Sequence, residues 1–332
     1  MGLIVSDEKA KKSFISKDEE GLHYIFNILG LKITISNFTK ADRIKIILHK
    51  QNDVADYLIH NYINKYLNNY IPKIEVKTKK DLKTDKIIWQ YWGQGFENLP
   101  EVVKVCYKSV DRYKNDYIVI RLTDDTIDEY IDIPDFIYKK FKENNSFKRA
   151  FFSDIIRLYL LSAYGGIWID STIYLTEPIP NNLSNKDFFM FQRDLNETNP
   201  EFWVKQDYRY FGFTKDFKVN SLNSFMISKP QNLLINALKD ILTQYWKDED
   251  FFQYYYLFQI LFNELINTPE YKNLNCEIIS DTLPHLLQVY RNNKYSEQLW
   301  NKIKKSSFMH KLKYYSKCKK NSILEKIIQG ED

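Results

Sequence analysis

The chain has 332 residues, of which 44% are hydrophobic and 27% are charged, and this composition excludes an intrinsically disordered protein. The net charge of +5 favours anionic partners, which include nucleotide diphosphates, acidic lipids and nucleic acid, without choosing among them. The three widely spaced cysteines form no CxxC pair, and the N-terminus is too polar for a signal peptide. No stretch approaches the roughly 20 apolar residues of a spanning helix. We therefore expect a cytoplasmic protein.

Residues 1–80 are rich in lysine and asparagine and are predicted to form an N-terminal extension. Within this extension, residues 23–36 have the pattern of two short strands. Apolar residues recur at helical spacing across residues 53–70, which predicts a helix. The run KTKKDLKTDK at residues 77–86 has the composition of a solvated linker, so we place a domain boundary there.

A different pattern follows, in which strands and helices alternate. The predicted elements are a buried strand at residues 86–92 (KIIWQYW), a helix at 100–113, a strand at 117–122 (YIVIRL) and a helix at 134–142. This alternation predicts an α/β protein with a mainly parallel sheet. Because ligands bind at the carboxyl ends of parallel strands, residues 89–94 and 123–125 are expected at a nucleotide-facing edge.

The next stretch is a long helix, predicted at residues 147–164 and followed by Gly165 and Gly166. A glycine just past the last helical residue supplies the left-handed conformation that ends many helices. Residues 167–169 then form a short buried strand that delivers Asp170 into a turn. The remaining predicted elements are a strand at 219–228 and helices at 230–246 and 250–267.

Three charged residues make this stretch a candidate for chemistry. Asp154 and Arg157 lie one turn apart on a single helix face. An isolated pair of this kind is more often a structural ion pair than a functional site. Asp170, however, follows the carboxyl end of a strand, where its carboxylate can hold a divalent cation or a ribose hydroxyl. A nucleotide diphosphate needs its charge neutralised before it can leave, which Mg or Mn can do.

Residues 149–172 resemble the donor site of family-32 glycosyltransferases, and most closely the capsular polysaccharide synthesis branch. Those proteins carry Ser-Asp-x-x-Arg followed by Tyr-Gly-Gly-x-x-x-Asp-x-Asp. The matching positions here are Ser153-Asp154, Arg157, Tyr164-Gly165-Gly166 and Asp170-Ser171-Thr172. The segments KIIWQYWGQG at 86–95 and 299–310 extend the resemblance, so that it covers roughly residues 86–315.

The resemblance implies an α/β protein of the GT-A type, in which helices flank a Rossmann-like mixed sheet, here with the N-terminal extension and helical additions. The catalytic domain would span residues 81–315, and residues 316–332 would form a basic C-terminal tail. The implied activity is a retaining transfer of a hexose from a UDP-sugar to a lipid-linked oligosaccharide, in capsule or exopolysaccharide synthesis.

The resemblance also implies roles for individual residues. Trp89 would stack on the base of the donor, and Asp154 with Arg157 would hydrogen-bond the transferred sugar. Asp170 would bind the ribose and the metal shell, and Asn223 lies in a strand that would face the acceptor. The implied catalytic residues are Asp154, Arg157, Asp170 and Asn223. The implied donor-binding residues are Trp89, Gln90, Asp154, Arg157, Gly166, Asp170, Thr172, His310 and Lys311.

One position departs from the resembled pattern, because Thr172 stands where those proteins have a second acidic residue. Asp170 alone offers little charge, so we predict a Mn or Mg ion at the diphosphate, with Asp170 as a ligand and His310 as a second ligand or a phosphate contact. Water and phosphate oxygens would complete the shell. Imidazole suits Mn better than Mg. The alternative is that Lys311 or Lys313 neutralises the phosphates without a metal.

Several other residues have more than one interpretation. Trp168 is interpreted as core, whereas Trp92 suits either the core or a base. Asp281 and His285 are candidates for the acceptor side. The basic, tyrosine-containing segment 311–320 is typical either of a solvated tail or of a helix that contacts an anionic membrane.

Two other functions compete with a transferase. The missing second acidic residue also suits a relative that binds sugar nucleotides without turnover. The basic charge would suit a nucleic-acid-binding protein, but the sequence has no RNP, KH or helix-turn-helix pattern, and acidic residues nearly balance basic ones. We therefore expect as partners a UDP-sugar donor, a lipid-linked oligosaccharide acceptor and peripheral contact with an anionic membrane, and no nucleic acid.

Overall fold

The computed structural model describes residues 39–315 and 317–330, together with the backbone of residues 14–18, 21–28 and 31–35. In that N-terminal part, β1 (Phe14–Asp18), β2 (Gly21–Ile28) and β3 (Leu31–Ile35) form a small antiparallel sheet in the order β1-β2-β3. The two strands predicted at residues 23–36 correspond to β2 and β3.

The rest of the described chain alternates between helices and strands. The helices are α1 (Lys40–Leu58), α2 (Asn64–Leu67), α3 (Glu101–Tyr113), α4 (Asp135–Glu143), α5 (Arg149–Tyr164), α6 (Asn181–Ser184), α7 (Pro200–Asp207), α8 (Leu233–Asp248), α9 (Leu257–Ile266), α10 (Leu286–Tyr290), α11 (Glu297–Ser306) and α12 (Ile323–Gln329). The strands are β4 (Ile87–Tyr91), β5 (Ile118–Leu122), β6 (Gly166–Ile169), β7 (Ile173–Leu175), β8 (Phe188–Gln192), β9 (Ser221–Ser228) and β10 (Met309–Lys311). Shorter turns are the π-helix Ile59–Ile63 and the 3₁₀ helices Ile127–Glu129, Lys272–Leu274 and Leu283–His285.

A five-stranded sheet lies at the centre, in the order β5-β4-β6-β9-β8. β4 is parallel to both β5 and β6, whereas β9 is antiparallel to its neighbours β6 and β8. Only β9 therefore runs against the others in this sheet. The predicted α/β class with a mixed sheet flanked by helices is confirmed. The carboxyl ends of β4, β5 and β6 meet at one edge, as the alternation of strands and helices predicted.

The segment before residue 80 shares the core of the segment after it. In α1, Val54 and Leu58 are fully buried. Tyr62, in the turn that follows, packs its ring 5.4 Å from that of Tyr245 in α8 and donates a hydrogen bond to Glu249. Residues 77–86 form no helix or strand until β4 begins, as predicted for a linker, but in the described part of the chain they do not separate two cores.

The junction between α5 and β6 depends on two glycines. Gly165 and Gly166 have φ values of +67° and +93°, which only glycine adopts readily. A Cβ at Gly166 would lie 2.6 Å from the carbonyl oxygen of Ile87. The absence of a side chain therefore lets β6 lie directly beside β4. This backbone role explains Gly166, which does not line the cavity described below, so its assignment to donor binding is corrected.

The C-terminal segment returns to the body of the protein. β10 pairs antiparallel with β7, which places Lys311 opposite Ile173. In α12, Ile323 and Leu324 are fully buried in the main core. The structure thus differs from the predicted tail at residues 316–332, because a packed helix follows the basic segment. In the part of the chain that the structure describes, no helix is long and apolar enough to cross a membrane.

Candidate active site

A cavity of about 950 Å³ opens at the carboxyl ends of β4 and β6. The ends of these strands, the first half of α5, β9 and α9 form its floor and walls, and residues 312–315 with Lys317 form one side of its mouth. The volume is that of a site for a ligand as large as a nucleotide sugar. Six predicted site residues line it, namely Asp154, Arg157, Asp170, Thr172, Asn223 and Lys311.

Asp170 lies at the centre of the polar floor, and hydrogen bonds hold both its backbone and its carboxylate. Its backbone N–H donates to the carbonyl of Ser224 on β9 at 2.8 Å. Its Oδ1 accepts from Trp168 Nε1 at 2.8 Å and from Arg157 Nη2 at 3.2 Å, and its Oδ2 accepts from Lys311 Nζ at 2.8 Å. Burial alone would raise the pKa of this carboxyl, but Lys311 and Arg157 lower it to about 2. Asp170 is therefore a fixed negative charge.

Arg157 connects the two acidic residues of the floor. Its guanidinium lies 3.3 Å from Asp154 and 3.2 Å from Asp170, and it also donates to the carbonyl of Asn223 and to Ser153 Oγ. Its side chain is only 4% exposed. The implied contact with a sugar is thus limited, because most of its donors already have protein partners. Arg157 chiefly positions the two carboxylates.

Asp154 begins a chain of hydrogen-bonded side chains that continues through two amides. Asn223 Nδ2 donates to Asp154 Oδ1 at 2.9 Å, and Gln259 Nε2 donates to Asn223 Oδ1 at 3.0 Å. Burial raises the pKa of Asp154 to about 7, with Asp170 adding to the shift while Arg157 and Asn223 oppose it. All three members of the chain line the cavity. Together they offer a carboxylate and two amides to a ligand on the floor.

Gln259 was missed by the sequence analysis. It is a buried polar residue in α9, whose sequence LFQILFNELI is largely apolar. A glutamine in such a helix must either find a buried partner or face a cavity. That signal was present, but the partner, Asn223, is 36 residues away in sequence.

Trp89 does not lie in the cavity, so the implied stacking on a base is wrong for this residue. Its side chain is fully buried and donates from Nε1 to the carbonyl of Gly165 at 2.9 Å. Its ring packs against Tyr130 and Tyr164, with centroids 5.6 and 5.3 Å away. Trp89 therefore stabilises the α5–β6 junction beneath the site.

Gln90 is likewise outside the cavity. It is fully buried, and its Oε1 accepts from Arg121 Nε at 3.0 Å. Trp168 is buried, as predicted for a core residue, but its indole also orients Asp170. The neighbouring Trp92 lines the cavity and packs edge-on against Tyr314, with ring centroids 5.3 Å apart. The tryptophan that lines the cavity at this edge is thus Trp92, next to Tyr91.

His310 and Lys311 point to opposite sides of β10, because side chains alternate along a strand. Lys311 reaches Asp170 and Thr172, whereas His310 is fully buried and lies 3.2 Å from Thr176 Oγ1. Burial lowers the pKa of His310 to about 3, so the imidazole is neutral. The structure does not bring His310 to Asp170, which corrects its assignment as a metal ligand and donor-binding residue.

The residues present do not fit the predicted divalent metal. Within the described ranges, no group of three or more His, Cys, Asp or Glu side chains could hold a metal ion. The one carboxylate implied as a ligand, Asp170, already accepts from three side-chain donors, of which two are cations. We therefore assign no step to a metal.

The two candidates for the acceptor side differ in position. Asp281 is fully buried in an ion pair with Arg193, with donor–acceptor distances of 2.6 and 2.8 Å, and this is a structural role. His285 lines the cavity and packs its ring 5.1 Å from that of Tyr210. Burial lowers the pKa of His285 to about 4. Of the two, only His285 can contact a ligand.

Comparison with known proteins gives three similarities. Residues 41–327 match the model of a family described as Capsular polysaccharide synthesis protein. The chain is 25% identical over 184 residues to the O-glycosyltransferase braB of Annulohypoxylon truncatum, an alignment that covers 52% of this chain and 40% of that protein. The chain thus spans about two fifths of the length of this curated relative. Among solved structures, the PaToxG glycosyltransferase is 14% identical, with a TM-score of 0.32 and coverage of 68% of this chain and 79% of the other.

Proposed function

The chain belongs to the capsular polysaccharide synthesis protein family, and from this premise we propose that it is a glycosyltransferase that moves a hexose from a UDP-sugar to an oligosaccharide acceptor. The named similarity to an O-glycosyltransferase supports transfer to a hydroxyl oxygen. We extend the proposal to retention of the anomeric configuration and to a lipid-linked acceptor in capsule or exopolysaccharide synthesis.

The observation that carries the proposal is the row of groups formed by Asp154, Asn223 and Gln259 on the cavity floor. A sugar hydroxyl both donates and accepts hydrogen bonds. A carboxylate accepts two or more, and an amide does both, so such a row can read several hydroxyls of one hexose. These groups are linked to one another at 2.9 and 3.0 Å, which fixes their orientation before a ligand arrives.

The mouth of the cavity suits an oligosaccharide acceptor. Tyr255, Tyr314 and Tyr315 line it and are 59%, 47% and 67% exposed. Exposed tyrosines present an apolar ring with a polar tip, a combination that suits the faces and hydroxyls of an oligosaccharide. We assign this rim to the acceptor and the floor to the donor sugar.

The test is release of UDP from a panel of UDP-sugars, with and without an oligosaccharide acceptor. We expect Gln259→Leu to lower turnover roughly 5-fold, because a neutral hydrogen bond to the sugar contributes about 1 kcal/mol. The matched control is Gln298→Leu on the exposed face of α11, which should keep wild-type turnover. Binding of UDP-sugars without turnover under any condition would instead identify an inactive sugar-nucleotide-binding relative.

The peripheral membrane contact is a separate proposal. Lys319 and Lys320 are exposed and lie in the basic segment that follows the cavity-mouth residues in sequence. Replacing both by glutamate should reduce binding to liposomes containing anionic lipid at low salt, with each removed cation contributing up to about 1 kcal/mol. The control replaces Lys139 and Lys142, two exposed lysines of α4. An equal loss of liposome binding in both double variants would indicate a general charge effect. Unchanged liposome binding in both would contradict the membrane proposal.

A further inference from the structure

Lys311 occupies a defined position on the cavity floor. Its Nζ donates to Asp170 Oδ2 at 2.8 Å and to Thr172 Oγ1 at 2.9 Å. The pairing of β10 with β7 fixes the backbone of Lys311 opposite Ile173, and the side chain is 22% exposed. The ammonium is thus held by the strand and by two acceptors, with one face toward the cavity.

This position is the one a divalent cation would need. An ion bound to Asp170 Oδ2 would lie about 2.1 Å from that oxygen, and hence no more than about 5 Å from the Lys311 ammonium. At such a distance two like charges repel strongly unless one of them moves. The other oxygen, Oδ1, already accepts from Trp168 and from the Arg157 cation. Thr172 adds only a hydroxyl, which serves as an acceptor for the lysine.

The ammonium has a donor to spare. A lysine carries three N–H groups, and Asp170 with Thr172 takes two of them. The third can reach a phosphate oxygen in the cavity, a contact that lysine makes as a point charge. Further cations on the cavity wall are Lys313, Lys317 and Arg291. The wall is therefore electropositive next to the sugar-binding floor.

Resting on the proposed transferase function, we propose that the Lys311 ammonium binds the diphosphate of the donor and takes the place of a divalent metal, so that the protein is metal-independent. In the transfer, the bond from the anomeric carbon to the diphosphate oxygen breaks and its electron pair stays on that oxygen. The acceptor oxygen forms the new bond and passes its proton to the departing diphosphate. Lys311 stays protonated and stabilises the negative charge that develops.

The first experiment measures binding of UDP and of inorganic pyrophosphate to the full chain by calorimetry, in EDTA and in Mn²⁺. We expect both ligands to bind in EDTA, with dissociation constants that change less than about 3-fold when Mn²⁺ is added. Binding or turnover that disappears in EDTA and returns with Mn²⁺ would overturn the inference. Failure of UDP and pyrophosphate to bind under either condition would overturn it as well.

The second experiment compares variants. Lys311→Met should weaken UDP binding roughly 10- to 150-fold, the range for a charge-assisted hydrogen bond. Lys311→Arg should keep most of the affinity, and Lys108→Met, an exposed change on α3, should keep all of it. Unchanged affinity for UDP in Lys311→Met would contradict the inference, provided that thermal unfolding shows a folded protein.

A third variant tests directly whether the lysine replaces a metal, and the binding of UDP to the wild type in EDTA stays decisive even if the variants are unstable. Combining Lys311→Met with Thr172→Asp removes the cation and adds a carboxylate, so this double variant should bind UDP only with Mn²⁺. A double variant that binds equally well in EDTA would count against the lysine as the replacement for a metal. Binding of UDP that depends on Lys311 without turnover of any UDP-sugar would retain the lysine site and overturn the transferase function, so the two failures are distinguishable.

Discussion

Replacing Arg157 by methionine is expected to lower the free energy of unfolding by about 3–5 kcal/mol and to abolish turnover. The guanidinium is 4% exposed and lies within 3.3 Å of both Asp154 and Asp170. Removing one partner from a buried ion pair leaves an uncompensated charge, which is the most destabilising way to break it. Here two carboxylates lose the same partner. Asp170 would lose one of its two cations, and Asp154 would lose the cation that opposes the rise of its pKa, so both side chains would leave the positions that the donor sugar requires.

Chemical denaturation with turnover on a UDP-sugar measures both effects. The matched control is Arg112→Met, the same change at an exposed position of α3, where we expect less than about 1 kcal/mol. If Arg157→Met were as stable as the control, then Arg157 would not hold the two carboxylates. A stable and fully active variant would show that Arg157 has no role in the site.

The α5–β6 junction could be predicted from sequence because its signals are local. The helix predicted at 147–164 is observed as α5 (Arg149–Tyr164), and the Gly165-Gly166 pair ends it as expected. The short apolar strand then places Asp170 at the sheet edge. Each step depends on neighbours within a few residues, so helix periodicity and glycine conformation were sufficient.

Trp89, in β4, shows why the sequence pattern led to the wrong base-stacking residue. Strands of a sheet covered by helices on both faces are buried on both faces, so alternation of apolar residues disappears. All five residues of β4 are buried. The sequence therefore indicated that β4 ends at the site but not which aromatic residue reaches it. Tyr91, the last residue of the strand, and Trp92, one residue past its end, line the cavity, whereas Trp89 does not.

Lys311 illustrates a different limit. Its contact with Asp170 joins residues 141 positions apart, through a three-residue strand, β10, too short for any periodicity. Sequence analysis selected the pair His310 and Lys311 because both suit phosphate or metal chemistry. Which of the two faces the cavity is decided by the pairing of β10 with β7, since neighbouring residues point in opposite directions. That pairing is a tertiary interaction with no local signal.

Asp154→Asn is expected to gain stability relative to the wild type as the pH rises from 4 to 8, by up to about 4 kcal/mol. Burial raises the pKa of Asp154 from 3.8 to about 7, so between these values the folded state binds a proton that the unfolded state has lost. Wild-type stability therefore falls as pH rises through this window, and the gap between 3.8 and about 7 corresponds to about 4 kcal/mol. Asparagine carries no charge and avoids this loss.

The lowered pKa values of His285 and His310 change stability in the opposite direction, but both residues are present in both proteins, so their contributions cancel in the difference. Urea unfolding of the two proteins at several pH values gives that difference directly, and a value that stays constant from pH 4 to pH 8 would show that Asp154 is ionised on the cavity floor throughout.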